Sequence, residues 1–167
     1  MSNKMTKNDI KKIEEEIEYR KLVVRKEAIE AVKEARAQGD LSENFEYYAA
    51  KRDKNKNESR IRYLERLLKT ADIIEDDKKE DEIGLYSVVE LYLPEDDEEM
   101  TVKLVTSIRG DSMKGFISID SPLGMAMKGH KVGDKIHVKV SDSYEYDAIV
   151  KSIEQTVDDG TDDIRSY

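Results

Sequence analysis

The 167-residue chain has no cysteine and no tryptophan, and only two prolines and eight glycines. Without cysteine there is no disulfide frame, no thiolate nucleophile and no Cys-based zinc site, so any chemistry uses oxygen and nitrogen. No apolar run approaches the roughly 18 to 20 residues of a membrane span. The N-terminus through Glu16 is polar and lacks the apolar centre of a signal peptide, so a cytoplasmic protein is expected. Hydrophobic residues make up 38% of the chain and charged ones 40%. That is too little apolar material for one thick core, and it suits one modest domain beside a solvated helical element.

Charge is plentiful but unevenly placed. The formal net charge is −9, from 29 basic and 38 acidic side chains. Residues 1–70 carry 18 basic and 14 acidic groups (+4), whereas 71–167 carry 11 and 24 (−13). The first part tolerates a phosphate backbone nearby; the second suits a basic protein surface.

From Lys7 to Gln38 there is no Gly or Pro, and Ile10, Ile13, Ile17, Val24, Ala28, Ala31 and Ala35 recur at spacings of mostly three and four, which predicts a helix with one narrow apolar seam. A second helix is predicted from Glu43 to about Ile73, with Tyr47, Ala50, Ile61, Leu64, Leu68 and Ala71 on its seam, interrupted by Lys54 and Asn57. Between them Gly39 supplies a left-handed residue, and Asp40 or Ser42 can cap the next helix. So short a link makes the helices antiparallel neighbours, and helices of about 30 residues, roughly 45 Å long, should project into solvent. Pairing about the turn sets Asn57 opposite Val24, where one polar seam residue fixes register. The alanines near the turn predict a slender tip.

The tip segment, residues 39–46, is acidic, and no Lys or Arg lies between Ala37 and Ala50. Asp40 and Glu43 read in two ways. They form an acidic helix cap, or they are half of a site for Mg²⁺, which keeps several waters and is held by one or two carboxylates plus ligands from elsewhere. Behind them Lys51, Arg52, Lys54, Lys56, Arg60 and Arg62 form a basic stripe that either contacts phosphates or is a solvated face paired locally with Asp53 and Glu58.

Residues 72–82 hold seven acidic side chains among eleven and read as a charged connector. Beyond it, 87–93, 101–106, 115–119, 135–140 and 144–153 show strand patterns separated by turn signals, and 121–128 predicts one short helix with Ser121 as N-cap and Pro122 in its first turn. The fold class is therefore α+β: an antiparallel helical hairpin (1–76), an acidic connector (77–82), a small β-sheet domain (83–157) and an acidic tail (158–167). His130 and His137 have no metal-ligand pattern around them and read as surface residues.

The run from Glu34 through Gly39-Asp40-Leu41-Ser42-Glu43-Asn44-Phe45-Glu46-Tyr47 to Lys51, with Arg60-Ile61-Arg62-Tyr63-Leu64-Glu65, resembles the coiled-coil hairpin of the bacterial Gre transcript-cleavage factors. Gly115 through Ser121-Pro122-Leu123-Gly124-Met125-Ala126, with Gly133-Asp134, resembles that family's C-terminal domain, which is FKBP-like. The resemblance implies an accessory factor, not itself an enzyme, that binds RNA polymerase and inserts its tip in the secondary channel. There Asp40 and Glu43 would share a Mg²⁺ with the polymerase and stimulate cleavage of backtracked RNA. It further implies that Ser42, Asn44 and Glu46 support the tip, that Lys51, Arg52, Lys54, Lys56 and Arg60 lie near the nascent RNA 3′ end and template DNA, and that Ser121, Pro122, Leu123, Met125 and Met127 help dock the domain on the channel rim. A monomer without membrane contact is expected. The chain departs from the family pattern at Phe45, where a small residue is usual, at Lys56 and Asn57, which should loosen the hairpin midway, and in the added tail. These departures keep open a channel binder that modulates polymerase without cleavage. A prolyl isomerase is disfavoured because 83–157 holds one Phe and no Trp.

Overall fold

The computed structural model describes residues 3–39, 44–75, 79–158, 160 and 162–166. It divides into two compact units, one built on Asp9–Ala71 and one formed by Asn3–Asn8 with Asp72–Arg165.

The first unit is a helical hairpin. The run free of Gly and Pro forms α1 (Lys7–Tyr19), a π-helical turn (Arg20–Val24) and α2 (Arg25–Arg36) without a break. The returning helix is α3 (Phe45–Lys69). Ile13, Ala35, Ile61, Leu64 and Leu67 are buried along the seam, while Ala31 is exposed. The antiparallel arrangement is fixed by polar bridges: Arg25 Nε donates to Glu58 Oε2 at 3.1 Å, Arg60 Nε to Glu16 Oε2 at 2.9 Å, and Lys21 Nζ lies 2.8 Å from Glu65 Oε1.

Two expectations for this unit are corrected. Asn57 bonds across the seam to Arg20, one helical turn before Val24. It also does not loosen the hairpin: it is 4% exposed and fully bonded, donating from Nδ2 to the Arg20 carbonyl (3.2 Å) and accepting from Arg20 Nη1 (3.1 Å). The second helix stops at Lys69 instead of reaching Ile73. Thr70 turns its hydroxyl onto Arg66 O (3.1 Å), which competes with the helical ladder. Ala71–Ile73 then forms β2, which pairs with β1 (Asn3–Met5); Met5 is buried, and its carbonyl accepts from Ile74 N–H at 2.8 Å. The partner strand lies 68 residues earlier in the chain (71 − 3), so no local pattern announced it.

The second unit is a mixed five-stranded sheet in the order β5-β4-β3-β7-β6, from β3 (Ser87–Leu93), β4 (Glu98–Val105), β5 (Phe116–Ser118), β6 (Lys135–Lys139) and β7 (Glu145–Gln155). Its pairs are antiparallel except β4 with β5. Alternating residues supply one core: Val89 and Leu91 of β3, Val102 and Leu104 of β4, Ile136 and Val138 of β6, Ala148 and Val150 of β7. Helix α4 (Pro122–Met127) closes it, capped by Ser121, whose hydroxyl accepts from Gly124 N–H at 3.0 Å. Gly124 is required there, since a Cβ would stand 1.9 Å from the Ser118 carbonyl oxygen.

Candidate functional site

The Asn44 side chain ties the two helices together at the hairpin end. Gly39, at φ +119°, leaves the first arm by a backbone conformation that L side chains rarely adopt. Asn44 then caps α3, its Oδ1 accepting from Tyr47 N–H at 3.0 Å, and reaches across to donate from Nδ2 to the Ala35 carbonyl at 2.6 Å. The expected caps were Asp40 or Ser42; the helix instead starts at Phe45, and Asn44 is the residue in position to cap it. Asp40, Ser42 and Glu43 lie outside the described residues. Glu46 is exposed in the first turn of α3, where a carboxylate suits the helix dipole. Tyr47 and Tyr48 meet edge to face at 5.5 Å, and the Arg36 guanidinium sits 5.7 Å from the Tyr47 ring. Phe45 is 85% exposed.

Along α3 the basic stripe separates into two groups. Lys51, Arg52 and Lys56 are exposed and, with Tyr48, Asn55 and Ser59, line a shallow groove on one face; Lys54 is half-buried. Such a face offers cations for phosphates and one aromatic ring for stacking. Arg60 belongs elsewhere. Its side chain is 12% exposed and committed to Glu16 by two hydrogen bonds, so it is a seam residue and is withdrawn from the RNA-contact set. Burial alone would raise the Glu16 carboxyl, but hydrogen bonds from Arg60 and Arg20 outweigh it and hold the group below the usual range.

In the second unit the expected docking residues also separate. Met125 is 63% exposed, and Ser121 and Pro122 are partly exposed beside it. Leu123 and Met127 are core residues at 9% and 0% exposure, so they are withdrawn from the docking surface; helical spacing turns them inward under α4.

The segment set apart as an acidic tail packs back on this unit where it is described. Asp158 accepts from Arg109 Nη2 (3.0 Å) and from the Tyr86 hydroxyl (3.2 Å), Asp162 Oδ2 meets Lys103 Nζ (2.8 Å), and Arg165 N–H donates to Ile108 O (2.7 Å). Arg109 and Ile164 are buried. Asp158 and Asp162 of this strap are ion-pair partners, a role that their sequence context did not signal. His130 and His137 are both substantially exposed and face carboxylates: His130 Nδ1 lies 3.0 Å from Asp134 Oδ2, and His137 sits between Asp147 (2.7 Å) and Glu145 (3.2 Å).

Among the described residues no three acidic or histidine side chains converge to hold a metal, and no helix is long and apolar enough to cross a membrane. The helix-end clasp with a basic face behind it provides positioning and positive charge.

Comparison with known proteins gives this arrangement a family. Residues 3–73 match the family described as transcription elongation factor, N-terminal, and residues 78–155 match transcription elongation factor, GreA/GreB, C-term. The chain is 44% identical over 137 residues to the transcription elongation factor GreA of Thermoanaerobacter pseudethanolicus, an alignment covering 81% of this chain and 87% of that one. It is 45% identical over 137 residues to GreA of Geobacillus kaustophilus, covering 81% and 86%. Among solved structures, GreA factor homolog 1 (Gfh1) of Thermus thermophilus is 30% identical with a TM-score of 0.44, covering 92% of this chain and 99% of that one. The chain therefore belongs to the GreA/GreB family of transcription elongation factors.

Proposed function

We propose that this elongation factor binds RNA polymerase, brings its hairpin tip into the secondary channel, and stimulates the polymerase's own hydrolysis of backtracked nascent RNA. The observation that carries the reading is the Asn44 clasp. By bonding Ala35 O and capping α3 with the same side chain, Asn44 holds the two helix ends together, so the intervening link, which carries Asp40 and Glu43, is short and tethered on both sides. Two carboxylates on such a link cannot enclose a cation. Asp40 and Glu43 would therefore hold Mg²⁺ only jointly with polymerase ligands, and the ion, when bound, activates the water that attacks the RNA phosphodiester. Ser42 and Glu46 support the tip. Lys51, Arg52 and Lys56 face the RNA 3′ end, with Lys54 and the template DNA at the margin of that contact. Met125, with Ser121 and Pro122, meets the channel rim, where a flexible thioether adapts to a partner surface. In this reading the protein supplies no complete active site and acts as an accessory factor.

Stalled elongation complexes are expected to release short 3′ RNA fragments when the protein is added, and Asp40→Ala or Glu43→Ala is expected to abolish release while the melting temperature is unchanged. Cleavage that persists in both variants would overturn the reading. Competition for the channel without fragment release by the wild type would identify a non-cleaving modulator instead.

A further inference from the structure

The hairpin seam contains one feature that helix periodicity does not call for. Over Arg20–Val24 the chain widens into a π turn, and Arg25 N–H bonds the Arg20 carbonyl, five residues back. That carbonyl also accepts from Asn57 Nδ2 (3.2 Å), so the π turn and the opposite helix share one oxygen. The Arg20 side chain completes the figure: Nη1 donates to Asn57 Oδ1 (3.1 Å) and Nε to Glu16 Oε2 (2.7 Å). Asn57 is the sole side-chain amide among the buried residues of the hairpin as described, and every polar atom of that amide is directed at residue 20. An apolar seam can slide while keeping much of its contact area. A buried amide bonded to one particular residue cannot, because any slip strands its donor and acceptor. From Asn57 to the start of α3 at Phe45 is twelve residues, about 18 Å of helix, so the axial position fixed at residue 57 is passed rigidly to the tip.

We infer that Asn57 and the π turn form a register pin that sets how far the hairpin carries its tip, making Asn57 a positioning residue for the reaction. This rests on the proposed function. A displacement of about 1 Å at a reacting centre lowers a rate by up to about a hundredfold, and a slip of one residue is about 1.5 Å.

The experiment compares wild type, Asn57→Leu and Asn57→Ser. Leu fills the seam with apolar volume, so its melting temperature is expected to equal or exceed that of wild type; Ser severs both bonds without adding bulk. At saturating protein the fragment-release rate of both variants should fall about ten- to a hundredfold, with the half-saturating concentration within about twofold of wild type. Because the chain has no cysteine, spin labels can be placed uniquely through Lys11→Cys and Asp53→Cys, two exposed sites offset along the axis, and the distance between them should shift or broaden by about 1.5 Å or more in both variants. An unchanged distance, or a rate loss only in a variant that has lost thermal stability, would overturn the pin. The distance reads the pin even if the wild type releases no fragments, so its failure and that of the cleavage reading are separable.

Discussion

Arg60 reaches across the hairpin seam to Glu16, closing on both carboxylate oxygens with Nε at 2.9 Å and Nη2 at 3.3 Å, while Arg20 approaches the same carboxylate from its own helix at 2.7 Å. One acid thus serves two guanidinium groups and ties α1 to α3. Glu16→Gln should lower hairpin stability by about 1 kcal/mol after solvent screening. The carboxyl is held below its ordinary value, so its contribution is complete above about pH 4.5 and is lost as pH falls through the depressed folded value. Urea melts of both proteins should differ at pH 7 and converge at strongly acidic pH; a constant difference would show that charge is not the cause.

Asn44 performs two tasks with one amide. Asn44→Ala removes both the helix cap and the bridge to Ala35 and should cost about 1 to 2 kcal/mol. Amide exchange at Tyr47, the capped N–H, should accelerate more than exchange at Leu64 in the middle of the seam. Equal acceleration at both positions would indicate that the clasp has no local effect.

In the sheet domain, Asp158→Ala removes the Asp158 carboxylate from the 1%-exposed Arg109 side chain, while the Asp162 carbonyl still accepts from Nη1 at 3.0 Å. Removing one partner of a buried ion pair of this kind costs about 3 kcal/mol. Calorimetry should show the loss in the transition of this domain; a drop below about 1 kcal/mol would mean that the strap rests on the domain without bracing it.

His137 is held above its ordinary value by hydrogen bonding to Asp147 first and to Glu145 second, both on β7, with Lys135 beside it on its own strand also approaching Asp147 at 3.6 Å. A raised histidine contributes stability that is complete below about pH 6.5 and fades as pH rises through the folded value. The imidazole resonances should titrate with a midpoint above 6.5, and the melting difference between wild type and His137→Gln should shrink at alkaline pH. A midpoint at or below 6.5 would contradict the pairing.

Elements whose instructions are local were legible in the sequence. Strand β3 was read to the residue from its alternation, and the Ser121-Pro122 start of α4 from cap chemistry. What escaped depended on distant partners. Strands β1 and β2 are three residues each and acquire meaning only from one another. The strap reads as solvated acid until Lys103 and Arg109, roughly fifty residues earlier, are brought beneath it. Asn44 stood beside two equally good capping residues, and composition could not choose among them. Arg60 shared the basic stripe of its neighbours, yet helical phase places it on the seam and Lys51, Arg52 and Lys56 off it. The π turn left no mark, because Leu22-Val23-Val24 fits an ordinary helix as well as a widened one.

Among the described residues strand β6 pairs only with β7 and so ends the sheet, and Lys135, His137 and Lys139 alternate along it as exposed residues. A second copy adding there edge to edge would bring lysine against lysine, and imidazolium as well once His137 is protonated, so this edge strand carries the charges that discourage such pairing. Raising the pH or replacing these lysines removes that guard, and turbidity during refolding is where the change would first be seen.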